Sequence, residues 1–116
     1  MIHNLILNKE DNVISWRANK ELINVTNISV ESAIVLEELD QVLAIDEKSN
    51  KLVLFKKNGD KILDISPPPG YDFAYVTHHN IGPVVVCSKD INHGWEDWNF
   101  AIDLNTGELK KHGKAY

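Results

Sequence analysis

The chain has 116 residues, enough for one domain with a buried core, and its apolar share of 43% and charged share of 25% are ordinary for a globular protein. Its seventeen acidic and twelve basic residues give a net charge of −5, which disfavours nucleic acid as a partner and favours a basic protein, although acidity also serves solubility. No apolar run approaches the roughly 18 residues of a membrane span, and the N-terminal residues lack the basic region of a secretion signal, so we expect a cytoplasmic protein without a membrane partner.

Short runs of β-branched, aliphatic and aromatic residues, separated by turn residues, predict an all-β fold. In chain order, the eleven predicted strands span about residues 4–8, 12–18, 21–26, 32–38, 41–46, 51–57, 60–65, 72–78, 83–88, 97–103 and 108–112. Residues 31–39 could be read as a helix, but Asp40-Gln41 and the apolar run that follows favour a hairpin. Asn58-Gly59 is the clearest turn, and a type I′ turn there requires a positive φ at both residues.

The sequence repeats itself with a period of about 40 residues, which is typical of repeat architectures. Residues 8–25 align with residues 46–65, and Asp103–Leu109 repeats the second turn of that unit. Residues 32–37 match 73–78 as a first strand, and residues 41–45 match 83–87 as a second. We therefore expect a single domain, 1–116, with units of about 1–30, 31–66 and 71–116, the last two joined by the stiff segment 67–70.

The repeated unit resembles the blade of a β-propeller, which is a four-stranded antiparallel meander. The turn Asp103–Gly107, with a carboxylate and a glycine between the third and fourth strands, carries this resemblance. The resemblance implies antiparallel blade-like repeats that form a partial, or half, β-propeller, because a closed ring usually takes about four to eight blades. One face is then left open, or a second copy of the chain completes the ring as a homodimer.

Alternate positions on the repeated strands predict the hydrophobic core. The predicted core residues are Leu5, Leu7, Trp16, Ile34, Leu36, Leu43, Ile45, Leu52, Leu54, Val76, Val84, Val86, Phe100 and Ile102. The single cysteine, Cys87, ends the apolar run that begins at Pro83, and we expect a buried thiol rather than a nucleophile.

The pattern of polar residues predicts no catalytic residue, metal or cofactor, and therefore no enzyme. The adjacent His78 and His79 would point to opposite faces of a strand, and zinc needs three or four convergent ligands. The remaining histidines are His3, His93 and His112. Acids such as Asp72 could in principle converge with His78 as in a hydrolase, but nothing in the sequence fixes that geometry. Phosphate-loop and dinucleotide-binding motifs are absent.

Residues 89–98 replace a four-residue turn, 47–50, of the preceding unit, and we expect them to form a loop on a binding face. Two tryptophans flank two acids there, and tryptophan is enriched at interface hot spots. We expect Trp98 to begin a strand and pack in the core, whereas Trp95 could either cover the loop or bind a partner. The candidate partner-binding residues are Asp90, His93, Trp95, Glu96 and Asp97, with Glu37, Glu38 and Asp40 as a second acidic surface.

In its small size, acidity, lack of catalytic motifs and truncated repeat, the chain is similar to the bacterial immunity proteins of polymorphic and contact-dependent toxin systems. That resemblance implies a protein-binding module that neutralises a basic toxin domain, such as a nuclease, by covering its active site. The alternative is a homo-oligomeric β-propeller that binds a small ligand or sugar at the centre of the ring, where Trp and Asp side chains could contact it.

Overall fold

The computed structural model describes residues 1–91 and 94–115, and the prediction of an all-β chain is confirmed. The described residues form three antiparallel sheets that follow one another along the chain. The first sheet contains β1 (Ile2–Asn8), β2 (Val13–Ala18) and β3 (Glu21–Thr26). The second contains β4 (Val30–Leu36), β5 (Gln41–Asp46), β6 (Lys51–Lys56) and β7 (Lys61–Ile65), with a 3-10 turn at Glu37–Leu39. The third contains β8 (Asp72–His79), β9 (Gly82–Ile91), β10 (Gly94–Ile102) and β11 (Leu109–Lys114).

Each strand pairs with the next one in the same sheet, so the second and third sheets are four-stranded meanders and the first has three strands. The sequence repeat aligns β2 and β3 with β6 and β7. The strand that precedes them, β1, is therefore equivalent to β5 and to β9. The segment of three prolines and Gly70 lies between β7 of the second sheet and β8 of the third. Residues 31–39 form a strand and the 3-10 turn, as the hairpin interpretation requires.

The three sheets form three layers, with the second sheet in the middle and buried on both faces. One cluster of buried side chains joins the first sheet to the second and includes Trp16, Val42 and Ala44. Another joins the second sheet to the third and includes Leu43 and Ile45. Because neighbouring residues of a strand point to opposite faces, the continuous apolar run of β5 supplies both clusters.

The predicted core is confirmed at most positions but is incomplete. Leu5, Leu7, Ile34 and Ile102 are half-buried rather than buried. The prediction omitted buried residues on the other face of the middle sheet, because it assumed that each strand has one solvated face. Those residues are Val42, Ala44, Val53 and Phe55.

The turn at Asn58-Gly59 differs from the predicted type I′ turn. Only Gly59 has a positive φ, of 97°, and its N–H donates to the Lys56 carbonyl at 2.9 Å. The arrangement is that of a longer hairpin loop, in which a glycine follows the turn. Gly59 lies directly against the first sheet, since a Cβ on it would stand 3.0 Å from Cγ2 of Ile23. Gly107 repeats this arrangement one sheet later, where a Cβ would stand 3.3 Å from Cγ1 of Ile65.

Candidate functional site

The hairpin of β9 and β10 extends beyond the rest of the third sheet. Pairing of β8 with β9 ends at Ser88, and pairing of β10 with β11 begins at Trp98. Among the described residues, 89–91 and 94–96 form strand pairs only with each other, and we call this two-stranded segment the ribbon. For residues 89–91 and 94–96 the prediction of a loop was therefore wrong, because the inserted residues extend the two strands of the hairpin. His93 lies outside the described residues.

The pairing of the ribbon decides which of its side chains share a face. Trp95 stands opposite Asp90, and Asp97 at the ribbon's base stands opposite Ser88. Since successive side chains alternate between faces, Trp95, Asp90 and Asp97 lie on one face and Glu96 lies on the other. The prediction had treated Trp95, Glu96 and Asp97 as neighbours on one surface. Trp95 is 65% exposed, and Asp90 is exposed beside it.

Two of the predicted acids are engaged within the chain. The Ser88 hydroxyl donates to Oδ1 of Asp97 at 2.6 Å, and the indole N–H of Trp98 donates to Oε1 of Glu96. Both acids are half-buried. Trp98 lies within β10 rather than at its start and packs against the second core cluster, as its predicted core role requires. Of the predicted partner-binding residues that the structure describes in this hairpin, the exposed ones are therefore Trp95 and Asp90.

The opposite face of the third sheet carries an aromatic and lysine cluster at the base of the ribbon. The Nζ of Lys111 lies 3.9 Å from the ring centroid of Trp98 and 5.6 Å from that of Tyr71, and Lys89 also approaches the Tyr71 ring at 5.6 Å. The Tyr71 ring meets the Phe100 ring edge-on at 5.3 Å. Cation–aromatic contacts of this kind position the ribbon's base on the sheet. Sequence analysis missed this cluster because its members come from separate segments.

Glu37 and Glu38 of the second acidic surface line one wall of a cleft. Glu37 and Glu38 are exposed on the 3-10 turn, and Asp40 follows with a left-handed φ of 51° and lies 3.8 Å from the amino group of Met1. The cleft has a volume of about 570 Å³. Its other wall includes His78 and the turn between β8 and β9.

The two acidic surfaces lie at opposite ends of the sheets. At one end, Asn50 of the β5–β6 turn contacts the start of β8, accepting from the backbone N–H of Phe73 at 3.2 Å. At the other end, Leu36 and His79, the last residues of β4 and β8, line the same cleft. The ribbon extends from the end at which β8 begins. The structure therefore brings Asp90 and Trp95 together, but not with Glu37, Glu38 or Asp40.

Neither Cys87 nor the histidines form a nucleophilic or metal-binding group in the part of the chain that the structure describes. Cys87 is fully buried in the second core cluster, and burial raises the pKa of its thiol to about 12. The rings of His79 and His112 lie 5.8 Å apart and meet edge-on. Across residues 1–91 and 94–115, no group of three or more His, Cys, Asp or Glu side chains could hold a metal ion.

The described residues include no helix with the length and apolar character needed to cross a membrane. Comparison of the chain with protein-family models, with curated proteins and with solved structures found no match.

Proposed function

We propose that this chain is a protein-binding module that neutralises a basic toxin domain, as an immunity protein does, and that the Trp95 face of the ribbon binds the partner. The observation that carries this proposal is the 65% exposure of Trp95 on a strand pair that extends beyond its sheet. Exposing a large aromatic side chain leaves apolar surface in water. Tryptophan is also the residue type most enriched among interface hot spots.

The charge on the Trp95 face of the ribbon supports a basic partner, since the lysine cluster at the ribbon's base lies on the opposite face. Asp90 lies directly across the ribbon from Trp95, and the chain as a whole has a net charge of −5. A lysine or arginine of the partner could pair with Asp90 while its aliphatic part packs on the indole ring. Asp97 lies on the same face but already accepts a hydrogen bond from Ser88, so we assign it a smaller share of the binding.

We also propose that the three sheets are blades of a partial β-propeller. The contacts between sheets support it, because β4 approaches both β1 and β8. The repeated packing of Gly59 and Gly107 on the preceding sheet also supports it. A binding module of this form acts as a monomer of 13.1 kDa, whereas ring closure requires a second copy. Light scattering on the purified chain distinguishes these two masses.

A growth assay tests the proposed neutralisation. The polypeptide encoded by the gene adjacent to this chain is expressed from an inducible promoter, alone or together with the chain. We expect growth arrest without the chain, growth with it, and loss of protection with Trp95→Ala and Asp90→Lys combined. The matched control is Leu22→Ala, which changes an exposed apolar residue of β3 in the first sheet. If the neighbouring polypeptide is harmless, or if the chain gives no protection, the proposed function is wrong.

A further inference from the structure

The free edge of β1 is the position at which the other two sheets carry an additional strand. In the second sheet β4 pairs with β5, and in the third sheet β8 pairs with β9. β1 is equivalent to β5 and β9, but within the described residues it pairs only with β2. An unpaired strand edge presents backbone N–H and C=O groups that can pair with another extended chain.

The partial exposure of apolar side chains next to the edge of β1 also indicates room for an additional strand there. Leu43 and Ile45 of β5 are 0% and 2% exposed, with β4 beside them. Leu5 and Leu7, which belong to the equivalent strand β1 and also pack on the core, are only half-buried. Ala33, on the face of β4 that packs toward the first sheet, is also half-buried. A strand beside β1 would cover this apolar strip as β4 covers the corresponding strip of the second sheet.

We propose that an extended segment of another polypeptide adds to the free edge of β1 as a fourth strand, antiparallel to β1. Apolar side chains at alternate positions of that segment would cover Leu5, Leu7 and Ala33. In the other sheets this position is filled by β4 and β8, both of which carry several apolar residues and one irregularity of register. The occupant is a free segment rather than a strand of a second copy, because its apolar side chains must cover Leu5, Leu7 and Ala33, and a folded copy already buries the apolar faces of its strands in its own core clusters.

A bulge in β1 limits where the segment pairs. The register of β1 with β2 shifts between His3 and Ile6, and Asn4 has a positive φ of 56°. Bulges at an edge interrupt regular pairing and reduce open-ended association. The expected pairing therefore runs along residues 5–8. This site is separate from the ribbon, so the inference goes beyond the proposed function.

A peptide with the sequence of β8 provides the probe. A fluorescently labelled synthetic peptide of residues 71–80 is titrated with the full chain, and amide hydrogen exchange is followed by NMR. We expect saturable binding and at least tenfold slower exchange at those backbone amides of residues 5–8 that point away from β2. A peptide with proline in place of Ala74 and Val76 should bind at least tenfold more weakly, because proline removes the backbone donors needed for pairing.

A matched pair of variants locates the peptide on the protein. Ala33→Lys places a charge in the half-buried strip and should weaken peptide binding at least tenfold, whereas Leu22→Lys, at an exposed position of β3, should leave it unchanged. Trp95→Ala should also leave it unchanged, which separates this inference from the proposed function. The exchange map still locates the peptide if Ala33→Lys does not fold.

Three results would overturn the inference. One is the absence of binding at millimolar peptide. Another is slowed exchange confined to the edges of β3, β7 or β11. The third is concentration-dependent protection of β1 without peptide, which would identify a second copy of the chain as the occupant.

Discussion

Trp16 connects the first two sheets through both its ring and its N–H. It is fully buried, its ring lies 6.1 Å from that of Phe55, and its indole N–H donates to the Lys57 carbonyl at 2.7 Å. Trp16→Phe keeps an aromatic ring but removes the donor and part of the volume. We expect a loss of about 1 to 3 kcal/mol in the free energy of unfolding.

Urea denaturation measures this loss, with Trp95→Phe as the control. Because Trp95 is 65% exposed, its replacement should leave the unfolding midpoint unchanged. Equal midpoints for Trp16→Phe and the unmodified chain would contradict the packing described for the first two sheets.

Asp103 makes the stability of the β10–β11 turn depend on pH. Its carboxylate accepts from the backbone N–H groups of Asn105 at 2.9 Å and Thr106 at 3.3 Å, and these bonds hold its pKa below the usual value. A lowered pKa in the folded state stabilises the protein above the unfolded pKa of about 3.9 and loses that effect as the pH falls further. Asp103→Ala should therefore lower the melting temperature at pH 7 and have a smaller effect at pH 3.

Asp103→Asn serves as the matched variant, since its side-chain oxygen can still accept these hydrogen bonds without a charge. It should melt between the unmodified chain and Asp103→Ala at pH 7. A difference between the unmodified chain and Asp103→Ala that stays constant from pH 7 to pH 3 would show that ionisation of Asp103 does not contribute.

At the scale of the structural elements, the turns between third and fourth strands attach each sheet to the preceding one. Gly59, Gly107 and Gly70 have similar positive φ values of 97°, 79° and 84°, so an alanine is strained at all three positions. Only at Gly59 and Gly107 would the new methyl group also meet a neighbouring strand. We expect Gly70→Ala to cost about 1 to 2 kcal/mol, and Gly59→Ala to cost about 1 kcal/mol more because of overpacking.

Chemical denaturation of the three alanine variants tests this order. Gly107→Ala should lie between the other two variants, because its closest approach is 3.3 Å rather than 3.0 Å. If Gly70→Ala destabilises the chain as much as Gly59→Ala does, backbone strain alone explains the glycines and the contact between sheets contributes nothing.

The sequence predicted the positions of the strands better than it predicted which of their faces are buried. Repeated turn residues marked the ends of most elements, because Gly, Asn and Asp adopt backbone conformations that end a strand. Period-2 alternation could not reveal that β5 is buried on both faces, since that depends on which sheets pack together. The ribbon was predicted as a loop because it replaces a four-residue turn of the preceding unit, although an insertion can also lengthen the two strands of a hairpin.

At the scale of the whole molecule, strand direction places at opposite ends two groups of acidic residues that look similar in the sequence. The molecule measures 48 × 31 × 23 Å, and the ribbon and the acidic turn of Glu37 and Glu38 lie at opposite ends of its sheets. The sequence indicated both groups of acids but could not place them, because their positions depend on the directions in which strands of different sheets run. The exposure of Trp95 and the half-buried state of Glu96 also required the structure.

The most direct test of the proposed binding surface is a calorimetric titration of the chain with the purified polypeptide encoded by the adjacent gene. Trp95→Ala should weaken binding by about 2 kcal/mol or more, as expected of a central hot spot, and Leu22→Ala on the first sheet should leave it unchanged. Glu96→Ala combined with Asp97→Ala should have a smaller effect than Trp95→Ala, since both acids are engaged within the chain. An affinity of Trp95→Ala equal to that of the unmodified chain, at both low and high salt, would contradict the assignment of the ribbon as the binding surface.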